Sequence, residues 1–586
     1  MASICRDSRR TADERALSGE VLLASPSYTR ESPFAHRITE KTVNCSATSD
    51  FKQYDEKYRQ NQVQQDAVLP RHSQDLANAS PKCKSKRKHT TLRQIAQVAL
   101  SFAVTWMILD ACFGLKADPI ARLLDHASSK ARPISLPWRA NLAPVVPLQP
   151  LSFEAHTIKT RCKLLPPFSS TVHRERIARV RSILQDIRND KPEKSSGDQV
   201  YVLEPGASSF YYTGIGREQW HVSERPFLFV IRSAENGRKA KNGPVLSILT
   251  PAFEAPRAKL LDLPGLDKDG EVEFVEWREE ENWAEILLRH LDGSREMNDL
   301  KQEATSTLKI HFDPDVRTFI SAGIARAALN ANVLEGNTRV LTDVADPRVL
   351  SVRERKSPEE IEVLKCANEL TLQAIKATKD SMFFGIKESQ TSSLLSRYFE
   401  ELGMPGGEGL VLFGENAALP HGSGTDRALR EEDFALIDAG GQFRGYTSDI
   451  TRTFALPGGK ISETQERLWF LVKQAQEAAL KAGTAGALGR EVDAAARDII
   501  KNKGKRQAER EGFTHRLGHG IGLEGHEAPY LVGSNDRPIE TGNVFSDEPG
   551  VYILGEVGIR LEDCWYVTDE GEGESFTGPA KDYWTV

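Results

Sequence analysis

The chain has 586 residues, enough for about three to five domains, which excludes a single small binding module. With 39% hydrophobic, 27% charged and 8% aromatic residues, it is not a polytopic membrane protein, a collagen-like fibre or a wholly disordered chain. A formal charge of -6 argues against a general nucleic-acid binder, and seven scattered cysteines with no C-x-x-C pair argue against a disulfide scaffold or zinc ribbon.

The charge is unevenly spread. Residues 1–92 carry 16 Lys or Arg against 11 Asp or Glu, so +5 here stands against -11 in the remainder. Rich in Ser, Thr, Gln, Asn and Arg and without apolar periodicity, this segment is expected to be a disordered basic tail. It ends in Lys82, Lys84, Lys86, Arg87 and Lys88. In the next segment, 93–115, the stretch from Gln94 to Leu115 holds a single charge, Asp110, near one end. That approaches the roughly 20 apolar residues needed to cross a bilayer, which sets up the expectation of a single-pass membrane anchor with a cytoplasmic N-terminus. Gln94, Gln97, Ser101 and Thr105 dilute the stretch, so the alternative is a buried or interfacial amphipathic helix in a cytoplasmic protein. Residues 116–159 read as a Pro-rich linker, with Pro119, Pro133, Pro137, Pro144, Pro147 and Pro150.

Residues 160–350 mix a helical pattern over 173–188 with strand-like runs over 226–232 and 244–249, which predicts an α/β domain without a catalytic constellation. A second domain, 351–586, opens at Ser357-Pro358-Glu359-Glu360, which has the residues of a capping box: serine at the N-cap, proline at N1 and glutamate at N3. Ile361, Leu364, Ala367, Leu370 and Ala374 then follow at helical spacing and mark a buried face.

The chemistry lies further on. FALIDAGGQFRGYTSDITRTF (434–454) reads as a hairpin turning at Gln442-Phe443-Arg444-Gly445. That register sets Asp438 directly opposite Asp449, where like charges repel unless a cation lies between them. His515, His519 and His526 cluster among glycines 518, 520, 522 and 525, which let backbone approach a ligand. Asp547-Glu548-Pro549-Gly550 puts Glu548 before a proline that biases it to an extended conformation. Arg560 and Glu562 fall on one face of a strand by period-two alternation, where the arginine is expected to keep Glu562 ionised. Asp438, Asp449, His519, Glu548 and Glu562 make four carboxylates and one imidazole, a set suited to Mn²⁺, Co²⁺ or Zn²⁺ with donors enough for two ions.

In order and spacing these residues resemble the M24 pita-bread metallopeptidases, in the aminopeptidase P and prolidase branch; IDAG, SDITRTF, LPH, GHGIGLEGHE, EPG and IRLED carry the likeness. YYTGI (211–215) and SERPFLFVI (223–231) are similar to the creatinase-type N-terminal domain. The resemblance implies an α/β (α+β) chain with that domain first and a pita-bread catalytic domain second. It implies hydrolysis of the bond between an N-terminal residue and proline, with proline-containing peptides as substrates and a homodimer as the common assembly. Asp438, Asp449 and Glu562 would hold one metal, and Asp449, His519, Glu548 and Glu562 the other, with manganese foremost. Glu548, His421 (in Leu419-Pro420-His421) and His526 match catalytic positions. His421 and His526 also match substrate-contacting histidines, and His515 and Arg560 supporting pocket positions. A non-catalytic pita-bread interaction protein, or a hydrolase like methionine aminopeptidase or creatinase, is the competing reading. Two features depart from the pattern: Cys564 stands where a second acid is common, and the leading 150 residues have no counterpart.

Overall fold

The computed structural model describes residues 146–190, 198–233, 244–266, 270–293, 307–329 and 338–586. The basic tail, the stretch 93–115 and most of the linker lie outside these residues. The expected single-pass anchor is corrected: among the described residues no helix is long and apolar enough to cross a membrane. The long described helices carry charged residues along their length, because each buries one face and wets another.

The last residues of the Pro-rich stretch are docked on the folded part. Arg397 donates to the Val146 carbonyl at 2.6 Å, and the Tyr398 hydroxyl both accepts from the Gln149 amide and donates to its carbonyl. Helix α1 (Phe153–Lys163) follows, N-capped by the Ser152 hydroxyl. Its Cys162 is disulfide-bonded to Cys366. The scattered cysteines had suggested no such bond; 204 residues separate the pair in sequence, and only the packing of α1 against a later helix brings them together.

The N-terminal part is one six-stranded sheet in the order β4-β3-β2-β1-β5-β6. Its strands are β1 (Asp198–Leu203), β2 (Leu228–Arg232), β3 (Leu246–Pro251), β4 (Val272–Trp277), β5 (Thr307–Phe312) and β6 (Arg339–Val344). β1 pairs antiparallel to β2 and parallel to β5, so this is a mixed sheet. Helices cover it on both faces: α2 (Val172–Asn189) and α3 (Ala207–Thr213) on one core, α5 (Trp283–Gly293) and α6 (Thr318–Ala328) on the other, with the short α4 (Ala255–Lys259) after β3. α7 (Pro347–Glu354) leads out of the sheet.

The capping box forms as expected. The Ser357 hydroxyl accepts from the Glu360 amide, the Glu360 carboxylate accepts from the Ser357 amide at 2.9 Å, and α8 (Pro358–Asp380) begins there. Leu364, Ala367, Leu370 and Ala374 are buried and Ile361 is half-buried; α8 lies deep enough that Thr371 and Asn368 are buried as well. With α9 (Glu388–Leu402) it backs a three-stranded sheet of β7 (Glu408–Phe413), β8 (Ala435–Gly440) and β11 (Ile450–Phe454); the two-residue ladder β9 (Gln442–Phe443) and β10 (Tyr446–Thr447) carries the turn. Helices α10 (Glu463–Ala482) and α11 (Gly489–Lys503) pack against the second sheet of this part, ordered β13-β12-β14-β17-β18. Its strands are β12 (Gly518–Gly520), β13 (Glu527–Leu531), β14 (Val544–Asp547), β17 (Asp563–Val567) and β18 (Gly573–Ser575), while β15 (Gly550–Ile553) and β16 (Val557–Arg560) form a separate hairpin.

Candidate metal centre

The predicted hairpin forms, with its register displaced by two. Thr451, not Asp449, lies opposite Asp438. The turn sits one residue later than expected, because Arg444 and Gly445 both take positive φ, 51° and 85°, and Phe443 pairs with Tyr446. A shift of two preserves parity, so Asp438 and Asp449 remain diagonal neighbours on one face. With Glu562, which lies between β16 and β17, they offer three carboxylate oxygens within 4.8 Å of one another.

A second group of the same tightness is His519, Glu548 and Glu562. His519 stands in the middle of β12, clasped between β13 and β14. Glycines on either side make that possible: a Cβ at Gly518 would come within 2.0 Å of the Ser546 carbonyl, and one at Gly520 within 2.5 Å of the Glu527 carbonyl. The His519 Nδ1 is 3.1 Å from the Gly520 carbonyl, which can only accept, so the proton is on Nδ1 and Nε2 presents its lone pair to the acids. From Nε2 it is 3.4 Å to Glu548 and 3.6 Å to Asp449.

Arg560 behaves differently from expectation. Its Nη2 donates to Asp438 at 2.6 Å, its Nε to the Thr451 hydroxyl and its Nη1 to Tyr552. It is Thr451, donating at 2.6 Å, that holds Glu562. Arg560 and Glu562 nonetheless share a side, as the alternation expects, since both meet the Thr451 hydroxyl; the field of Arg560 favours ionised Glu562, but burial and Asp449 outweigh it.

These acids are crowded, and their protonation shows it. Burial first, then Asp438 and Glu548, raise Asp449 well above the ordinary carboxylate range; burial and Asp449 do the same to Glu562. Glu548 is pushed up to about 7 by burial, with Asp438 adding and Arg560 opposing. Burial, helped by His526, lowers His519 to about 3, which keeps its imidazole neutral. Oxygen donors short of cations beside a neutral imidazole make a set that fits divalent metal.

The remaining predicted residues ring this centre. His526 is exposed, its ring centroid 4.1 Å from that of His519, and it joins Asp449 and His519 in a third close group. His421 is exposed, and its field lowers both His515 and His526, in each case after burial. His515 touches none of the acids; its Nδ1 donates to the Arg516 carbonyl and its Nε2 accepts from Tyr552 at 2.9 Å. Tyr552, which accepts from Arg560 and donates to His515, and Thr451 are the two functional residues that sequence reasoning missed. Each sits two or four residues from a donor, and period-two counting from Asp449 and Glu548 would have found both. Cys564 is buried and gives its thiol to the Asp449 carbonyl at 3.2 Å, so a small side chain suffices there.

Residues 362–569 match the model of metallopeptidase family M24. An uncharacterized peptidase of Schizosaccharomyces pombe is 36% identical over 404 residues, 68% of this chain and 81% of that protein. The chain belongs to metallopeptidase family M24. A Xaa-Pro dipeptidase of Lactobacillus helveticus is 38% identical over 233 residues, 39% of this chain and 61% of its own length. The solved structure of a Xaa-Pro dipeptidase from Bacillus anthracis superposes with a TM-score of 0.52 at 26% identity, covering 69% of this chain and 97% of that one. The M24 chain is thus a metallopeptidase with the pita-bread fold in its C-terminal part, and its relatives lie in the Xaa-Pro branch.

Proposed function

We propose that the chain is an exopeptidase that hydrolyses the bond between an N-terminal residue and proline with two divalent cations, manganese foremost. The observation that carries this reading is the pair of three-donor groups sharing Glu562, with exposed histidines at their mouth. In this reading Asp438, Asp449 and Glu562 hold one ion, and Asp449, His519, Glu548 and Glu562 the other. Divalent ions held there would supply Lewis acidity and a water of lowered pKa.

The chain's own residues do the rest. Glu548, beside His519 and Glu562, is placed to take a proton from the attacking water and pass it to the leaving proline nitrogen. His526 and His421 face the substrate side and donate to the oxygen on which charge develops. Arg560 fixes Asp438, Thr451 fixes Glu562, and the Tyr552–His515 pair fixes Arg560. The Xaa-Pro specificity follows the relatives' named activity.

The test is a metal analysis of the purified full-length chain together with hydrolysis of Leu-Pro and of a tripeptide beginning Leu-Pro. Expected are bound divalent metal and proline-bond cleavage that a chelator stops and Mn²⁺ restores. Finding no bound divalent ion, and no cleavage under any added metal, would sink the reading.

A further inference from the structure

Beside the metal centre lies a cavity of about 230 Å³ whose lining includes His526. Both parts of the molecule build it. The N-terminal sheet supplies Tyr201 and the segment Asp313–Asp315 after β5, α7 supplies Val349, Leu350 and Arg353, and the catalytic part supplies Glu524. It can hold several waters, and therefore a side chain.

The wall is acid-rich. Among its lining residues, Glu527 receives Lys356 at 2.6 Å and Glu354 receives Arg537 at 2.6 Å, both from outside the cavity. Arg353 is then the one cation lining it among the described residues, facing Asp313, Asp315 and Glu524. It is committed to Glu524, Glu527 and the Ser208 hydroxyl. Asp313 accepts from the Tyr201 hydroxyl and from the Asp315 amide. Asp315 is exposed and lines the cavity together with Asp313 and Glu524. Five carboxylates against three cations leave an excess of negative charge next to a substrate site. The apolar Val349 and Leu350 suit the alkyl stem of a long side chain.

We propose that this cavity receives the side chain of the substrate's first residue and selects a cationic one, lysine or arginine, through Asp315 and Glu524. The inference rests on the Xaa-Pro reading of the metal centre and adds a charge preference on the other side of the scissile bond.

The test compares kcat/KM of the full-length, Mn²⁺-loaded enzyme on Arg-Pro, Leu-Pro and Glu-Pro, each as a dipeptide and as the start of a tripeptide. The expected order is Arg above Leu above Glu, with the Arg-to-Leu ratio falling about tenfold in Asp315→Asn and the Glu substrate gaining most in Asp315→Lys. Asp315 lies on an exposed segment, so both variants should fold. Equal turnover of the three substrates, or a preference for Glu-Pro, overturns the proposal. So does a loss in Asp315→Asn shared equally by Arg-Pro and Leu-Pro, which would assign the acids to the substrate's α-ammonium group. No cleavage of any Xaa-Pro substrate would instead overturn the reading on which the inference rests.

Discussion

Two groups of buried acids lie side by side in this molecule and are treated in opposite ways. Glu527 is buried, which raises its pKa, yet Lys356 and Arg353 outweigh that cost and hold it below the ordinary glutamate range. Glu562 is buried and Asp449 and Glu548 are half-buried, and desolvation together with their mutual repulsion leaves all three raised. The nearest guanidinium, Arg560, is spent on Asp438. Where acids are matched by side-chain cations, the fold needs nothing more. Where they are left unmatched, the arrangement suits a cationic ligand.

Substitutions can break this contrast. The largest effect is expected from Asp449→Asn, which removes an oxygen donor from two of the close groups: kcat/KM on a Xaa-Pro substrate should fall by at least about a thousandfold, with loss of bound metal by elemental analysis. Lys356→Met should act on stability instead, costing about 3 kcal/mol in denaturant titration by leaving Glu527 with Arg353 alone, while the metal content per folded molecule stays unchanged. If Lys356→Met proved neutral, the matched cluster would not be structural and the contrast would fail.

Arg560→Lys keeps the charge but loses the fork that reaches Asp438, Thr451 and Tyr552 together, and should lower kcat/KM about 10–100-fold. The smallest effect concerns pH. Between the ordinary glutamate value of 4.5 and about 7, the metal-free fold keeps on Glu548 a proton that the unfolded chain has released. This group's contribution to stability therefore falls as pH rises through that window and is level above it. Added Mn²⁺ should raise the Tm by a few degrees more at about pH 8 than at about pH 5. An equal rise at both would show that the acids are not protonated in the metal-free site.

Much of the centre was legible in the sequence because its donors are tied to local signals: histidine between glycines, glutamate before proline, aspartates in a hairpin. What was hidden was set by neighbours distant in the chain or by unusual backbone. The left-handed Arg444 moved the turn, and nothing about an arginine announces that conformation. Arg560 and Asp438 are 122 residues apart, so the partner of each could be named only once the strands were assembled. The α/β character of the N-terminal part followed from its periodicity, whereas its contribution of Asp313 and Asp315 to a cavity beside the metal centre depends on packing that periodicity does not encode.

The bond between Cys162 and Cys366 has a topological consequence. The six strands from Asp198 to Val344 all fall between those two cysteines, so the first sheet is enclosed in a covalent ring closed by sulfur. A single protease cut anywhere within that ring would open it without releasing a fragment, and the nicked chain would migrate as one band until a reductant parted it.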